Sequence, residues 1–136
     1  MAETFKFALV SPEKVLISAD AEEVLVPGSE GDFTVLPRHA PVIATLRPGI
    51  LRIPGNDAKH GEIYVRGGLA EVNSESLTVL AEQAIPVSEL NAEIMANEIK
   101  VLEDDLSVAV SEDARIKGAE MLQQLRTLSE NLHIAA

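Results

Sequence analysis

Between positions 28 and 41 the chain reads GSEGDFTVLPRHAP, and this stretch gathers the side chains with the widest chemical range: Glu30, Asp32, Arg38 and His39. Two carboxylates beside one imidazole suggest acid/base chemistry. That chemistry also requires a cleft and a nucleophile held against an oriented base, which this segment does not supply. The GSEG run has a superficial likeness to a phosphate loop, but no Lys-Ser/Thr pair follows at the required spacing. His39, His60 and His133 are scattered, and without cysteine support they form no metal-ligand pattern. Neither a catalytic centre nor a metal or other cofactor is expected. Gly28 and Gly31 permit backbone turns that other residues resist, while Pro37 and Pro41 fix φ and interrupt a sheet ladder. The segment therefore reads as a displayed loop with its charges turned outward, which suits protein recognition. Taken alone, His39 reads as a surface histidine making a hydrogen bond in a turn.

The remainder of the chain must build the support for that loop. With 136 residues and 46% apolar content, it has enough material for one substantial core and a smaller appended element. Twenty-two acidic residues against 11 basic ones give a formal charge of -11, which opposes binding to nucleic acid or to an anionic membrane surface. The absence of cysteine excludes disulfides and thiolate sites. The N-terminal MAETFKFALV enters strand-like alternation directly, with no leader pattern, and no run approaches the roughly 20 apolar residues of a membrane span. A soluble, unexported chain is expected.

Two periodicities divide the sequence near Pro86. Before it, short β-rich runs occupy 5–10, 14–17, 22–27, 32–36, 42–46, 49–53, 62–66, 69–72 and 76–80, at the spacing of a sandwich or barrel. Turns are expected at Pro54-Gly55-Asn56-Asp57, at Gly67-Gly68 and at Asn73-Ser74. The fold class is β + α: an N-terminal all-β sandwich or barrel of about ten short strands over 1–86, then an antiparallel two-helix hairpin over 87–136. In the hairpin, Met95, Ile99, Leu102 and Leu106 make one apolar stripe, and Met121, Leu125, Leu128 and Leu132 make another at the same spacings. Ser88 and Ser111 are expected to cap the two helices. The link around Ser107 to Ser111 is short enough to set them antiparallel. Gly118 reads either as a point of close helix approach or as a surface glycine.

Several separated motifs occur in a recognisable order: Ser11-Pro12; Val26-Pro27-Gly28-Ser29-Glu30-Gly31-Asp32; Leu36-Pro37 with His39-Ala40-Pro41; Leu46-Arg47-Pro48-Gly49; Gly67-Gly68 with Glu71-Val72; and Val79-Leu80-Ala81-Glu82. On these motifs the chain resembles the epsilon subunits of bacterial F-type ATP synthases, whose mitochondrial counterparts are called delta. The likeness runs from about Phe7 to the C-terminus. It implies a non-catalytic rotor component of the central stalk, within a complex that makes ATP from ADP and phosphate using a proton gradient. The protein would be peripheral, held through the complex at the cytoplasmic face of the inner membrane. The resemblance assigns Glu30, Gly31, Asp32, Arg38 and His39 to contact with the polar loops of the c-ring. Ser11, Ala40, Pro41 and Val42 fall where the family touches the gamma subunit. Lys100, Arg115, Lys117 and Arg126 are the basic residues through which the helices could reach the alpha and beta catalytic subunits. No homo-oligomer is implied.

Departures from the family concern the hairpin. Many relatives carry Leu/Ile-Asp-x-x-Arg-Ala in the first helix, where the Asp and Arg help to hold a regulatory ATP, whereas this chain reads Leu90-Asn91-Ala92-Glu93-Ile94-Met95. Replacing Arg by Ile removes a fork of donors, so an ATP site of that type is not expected. Ten acidic residues over 86–136 face only those four basic ones, and net repulsion opposes docking on an acidic loop. The expectation is weak inhibition of ATP hydrolysis or none. Thr34 stands where relatives usually have Gly, which places the local turn in question. A ligand-binding sandwich and a small hydrolase are the competing classes, and association with gamma separates them from a rotor subunit.

Overall fold

The computed structural model describes residues 3–54 and 61–133 of the chain, which divides into two compact units, Met1–Ser88 and Glu89–Ala136. The first contains ten strands: β1 (Phe5–Val10), β2 (Val15–Ala21), β3 (Val24–Gly28), β4 (Gly31–Val35), β5 (Val42–Thr45), β6 (Gly49–Arg52), β7 (Glu62–Arg66), β8 (Leu69–Val72), β9 (Ser76–Leu80) and β10 (Gln83–Pro86). They form two five-stranded sheets, in the orders β2-β1-β9-β8-β5 and β10-β7-β6-β3-β4. Among the described residues, only β1 with β9 is a parallel pair. The sheets close on one apolar cluster that includes Phe5, Phe7, Leu9, Val24, Val26, Leu51, Ile63, Val65, Leu77 and Val79. Alternation in FKFALV places Phe5, Phe7 and Leu9 inside, while Lys6, Ala8 and Val10 face away.

Nine of these strands fall on the runs recognised in the sequence, with ends shifted by a few residues. The tenth, β10, has only four residues and ends in Pro86, which pairs with Ile63. Proline is tolerated there because β10 is an edge strand and nothing beyond it requires the missing N–H. The expected turn at Pro54-Gly55-Asn56-Asp57 lies, beyond Pro54, outside the described residues, as does His60. At the β8–β9 turn, Asn73 Oδ1 accepts from the amides of Glu75 and Ser76 at 2.9 Å each. Gly67 and Gly68 both have positive φ, at 72° and 94°. A methyl group on Gly68 would meet Leu80 O at 1.8 Å, so this turn accepts no side chain. Thr34 lies within β4, paired with Leu25, and the strand runs through it regularly.

The second unit is a pair of helices, α1 (Ala92–Ser107) and α2 (Glu112–Asn131), joined by four residues. Glu103 of α1 meets Arg126 of α2, and Leu106 meets Gly118, an order of contacts that makes the pair antiparallel. Ser111 caps α2 through a 3.0 Å bond from Ala114 N to its Oγ. The cap of α1 is Asn91, whose Oδ1 accepts from Ile94 N at 2.8 Å, and not Ser88. Ser88 is taken up in a short 3-10 turn, Val87–Glu89, so the helix starts one cap residue before Ala92. In α1 the buried positions are Met95, Glu98 and Leu102, with Ile99 and Leu106 half-buried beside them. In α2 they are Leu122, Leu125 and Ser129, so the stripe is rotated from the expected one, leaving Met121, Leu128 and Leu132 on its margin.

Candidate functional site

The site is built at the end of the sandwich where β3 turns into β4. Gly28 pairs with Gly31 across a two-residue turn, Ser29-Glu30, and Gly31 adopts a φ of 136°. Glu30 is consequently the exposed tip of a tight hairpin, with no polar partner among the described residues. The end of β5 and the segment that follows it are stitched to this tip. Ser29 N donates to Thr45 O at 2.8 Å, Ser29 Oγ and Thr45 Oγ1 are hydrogen-bonded, and Arg47 N donates to Pro27 O at 3.0 Å. Arg47 then reaches over the hairpin. Its Nη1 donates to Gly28 O at 2.8 Å and its Nη2 pairs with Asp32 Oδ1 at 2.5 Å. Asp32 is thus tied back to the fold instead of facing outward freely.

Leu36, Pro37, Arg38 and His39 form a turn closed by His39 N donating to Leu36 O at 3.1 Å. Pro37 occupies the position that favours its fixed φ, and Arg38 adopts a φ of 65°, where glycine is usual. The left-handed conformation costs Arg38 about 1–2 kcal/mol. Two contacts hold it there: Arg38 N to Ser74 O at 3.0 Å, and Arg38 Nη2 to Glu3 Oε2 at 3.0 Å. The turn sends adjacent side chains apart. His39 lies toward the hairpin, with its ring centroid 6.4 Å from that of Phe33 and its Nδ1 2.6 Å from Ala40 O. Arg38 lines a different hollow with Glu3, Lys6 and Asp20.

Glu30, Gly31, Asp32, His39 and Val42 therefore come together, along with Phe33 and Ile43, around one open cleft of about 660 Å³. The cleft lies between β4 and β5, the edge strands of the two sheets. It offers an apolar floor with a polar rim, and its two hydroxyls, Ser29 Oγ and Thr45 Oγ1, are hydrogen-bonded to each other and not to its carboxylates or imidazole. No group of three or more His, Asp or Glu able to hold a metal ion occurs among the described residues.

Ser11 and the Ala40–Val42 segment are not neighbours. Ser11 closes the β1–β2 hairpin with Lys14, its amide donating to Lys14 O at 2.9 Å, whereas Val42 begins β5 at the other end of the sheet. Both border the outer face of the β2-β1-β9-β8-β5 sheet. Pairing aligns Val15, Val10, Leu80 and Leu69 across four strands of that face, with Ile43 in the next row beside Glu71. Val15 is 61% exposed, Leu80 41% and Ile43 70%. Single exposed aliphatic residues are ordinary, whereas here they run in one band with the half-buried Val10 and Leu69. The sequence reading missed this band. Its signal was present as the unbroken apolar runs Ala8-Leu9-Val10 and Val79-Leu80, in strands where one wet face would demand alternation.

Three of the four basic residues singled out in the hairpin are engaged within it. Lys100 lies 3.7 Å from Asp104, Arg126 Nη2 lies 2.9 Å from Glu103, and Arg115 Nε donates to Ala109 O at 3.3 Å. Lys117 is exposed without a polar partner among the described residues. No helix among the described residues is long and apolar enough to cross a membrane.

Residues 4–87 match the family model described as the β-sandwich domain of the ATP synthase delta/epsilon chain. The chain is 44% identical over 128 residues to the ATP synthase epsilon chain of Parvibaculum lavamentivorans, covering 94% of this chain and 97% of the relative. It is 48% identical over 112 residues to that of Paramagnetospirillum magneticum, covering 82% and 84%. Among solved structures, a chain of the Tetrahymena thermophila mitochondrial ATP synthase central stalk and c-ring superposes with a TM-score of 0.70 at 13% identity, covering 96% of this chain and 98% of that one. A chain from the Euglena gracilis mitochondrial ATP synthase gives 0.66 at 22% identity, covering 96% and 82%. At those identities the likeness is one of fold.

Proposed function

The chain belongs to the ATP synthase delta/epsilon chain family, and from that membership we propose that it is a non-catalytic central-stalk subunit of a proton-translocating F-type ATP synthase. In this reading it couples the gamma subunit to the c-ring. It is peripheral to the membrane, held at the cytoplasmic face through the complex.

The observation that carries the reading is the pairing of two unlike surfaces on one stiff sandwich. An apolar band crosses the outer face of one sheet, and a polar-rimmed cleft lies at the edge that this sheet shares with its partner sheet. An apolar sheet face suits a large, permanent interface, and gamma is its occupant in this proposal. A charged tip on a short hairpin suits polar loops at a rim, where complementarity fixes register more than it adds affinity. Glu30, Gly31, Asp32 and His39 lie at the ring side, and Arg38 supports the neighbouring turn. Ser11, Ala40, Pro41 and Val42 border the gamma side. The helices act as at most a weak brake on hydrolysis, because three of their four cations are already engaged within the hairpin and the surrounding charge is negative.

Co-expression with gamma tests this. The wild-type chain should co-purify with gamma, and Leu80→Asp should lose that association while keeping its circular dichroism spectrum, because it places a charge in the apolar band and not in the core. A folded wild-type chain with no affinity for gamma would overturn the reading.

A further inference from the structure

Asp32 and Glu30 stand two residues apart at the same tip but have different surroundings. Glu30 is fully displayed on the turn. Asp32 is paired with Arg47, and the same guanidinium donates to Gly28 O on the opposite strand of the hairpin. Arg47 therefore spans both strands of the hairpin beside its turn. Its own backbone is anchored by the bond to Pro27 O, and its neighbour Leu46 bridges to Gly28. Its side chain is only 27% exposed. A planar fork of donors is suited to holding a carboxylate and a carbonyl together, whereas an ammonium is a single point charge on a flexible stem.

We propose that Arg47 is a positioning residue for the contact tip and that Asp32 is its internal counter-ion, leaving Glu30 as the acid that meets the partner. The proposal rests on the reading of this tip as a ring contact, and it assigns different roles to two acids that the sequence presents as equivalent. The clamp fixes the height and direction of the Ser29-Glu30 turn by joining β3, β4 and the β5–β6 segment. A partner rotating together with this tip then loads a braced hairpin and not a swinging one.

Two measurements on the same variants test the assignment. The first is hydrogen exchange at Ser29 N in the isolated full-length chain, since that amide donates to Thr45 O across the stitched segment. The second is proton pumping per ATP hydrolysed in vesicles carrying the reconstituted complex. Arg47→Met and Asp32→Asn should each accelerate Ser29 exchange about tenfold and lower pumping by a similar proportion to one another. Arg47→Lys, which keeps the charge but not the fork, should fall between them and wild type. The exchanged pair Asp32→Arg with Arg47→Asp should recover at least half of both losses. Glu30→Gln should lower pumping with Ser29 exchange unchanged. Reduced pumping in Asp32→Asn with wild-type Ser29 exchange would mean that Asp32 touches the partner itself and would overturn the proposal. Unchanged exchange in Arg47→Met would do the same. Failure of the wild-type chain to support pumping would instead overturn the functional reading, while the exchange data would still decide the clamp.

Discussion

Gly118 of α2 faces Leu106 of α1 so closely that a methyl group added to the glycine would stand 3.1 Å from Leu106 Cδ1. The glycine is half-buried against its partner helix, which resolves its role in favour of close approach. The nearest atom it meets is the terminal methyl of a half-buried leucine, the flexible end of that side chain.

Gly118→Ala should accordingly stabilise the hairpin by up to about 1 kcal/mol, because the gain in helix propensity exceeds the small displacement of Leu106. Gly118→Leu should destabilise it by roughly 1–3 kcal/mol through overpacking. Urea unfolding followed by far-ultraviolet circular dichroism distinguishes the two, and equal losses for both would show that the helix pair cannot yield at this point.

Gly68 and Gly31 offer a comparison between a clash and backbone conformation alone. Both have positive φ, but a methyl group on Gly31 would meet nothing within 4 Å, while one on Gly68 would collide with the Leu80 carbonyl. Gly31→Ala should cost about 1–3 kcal/mol, the conformational term alone. Gly68→Ala should cost about 3 kcal/mol or more, since backbone must move. Calorimetric melting of the two variants should therefore show Gly68→Ala as clearly the less stable, and the opposite order would contradict this account of the turn.

Asn91 has a structural task that the family comparison of its position does not suggest: it is the cap of α1. Asn91→Ala should destabilise the helix by about 1 kcal/mol, and Asn91→Asp should leave it intact because the acceptor oxygen remains. Neither the wild-type chain nor Asn91→Asp should bind ATP in calorimetric titration, since Ile94 supplies no donors where many relatives have Arg. Micromolar binding by the wild-type chain would refute this.

A chain truncated after Ser88 should fold, because the apolar cluster between the sheets is supplied entirely by residues from Phe5 to Ala84. In the reconstituted complex its ATP hydrolysis should exceed that of the full-length chain by less than about twofold, consistent with a hairpin in which three of the four basic residues are already engaged. An unfolded truncation would contradict the first statement, and a several-fold rise in hydrolysis the second.

What the sequence by itself determined is what local physics determines. Alternation in FKFALV and SLTVL specified strands with one buried face, the change of period after Pro86 specified helices, and Ser111 ahead of Glu112 and Asp113 specified the start of the second one. The tip was legible as well, because paired glycines permit turns that other residues resist and flanking prolines fix φ wherever they occur. Tertiary structure decided the rest. β10 is a strand only because β7 offers it an edge, and its four residues with a terminal proline carry no periodic signal. The separation of Arg38 from His39 follows from a single positive φ. The apolar band exists only once sheet register sets Val15, Val10, Leu80 and Leu69 side by side. Likewise Arg47 meets Asp32 because β3 lies between β6 and β4 in their sheet and the β5–β6 segment is stitched to the hairpin. Contacts between residues distant in the chain depend on register, and register is a property of the whole sheet that no local stretch encodes.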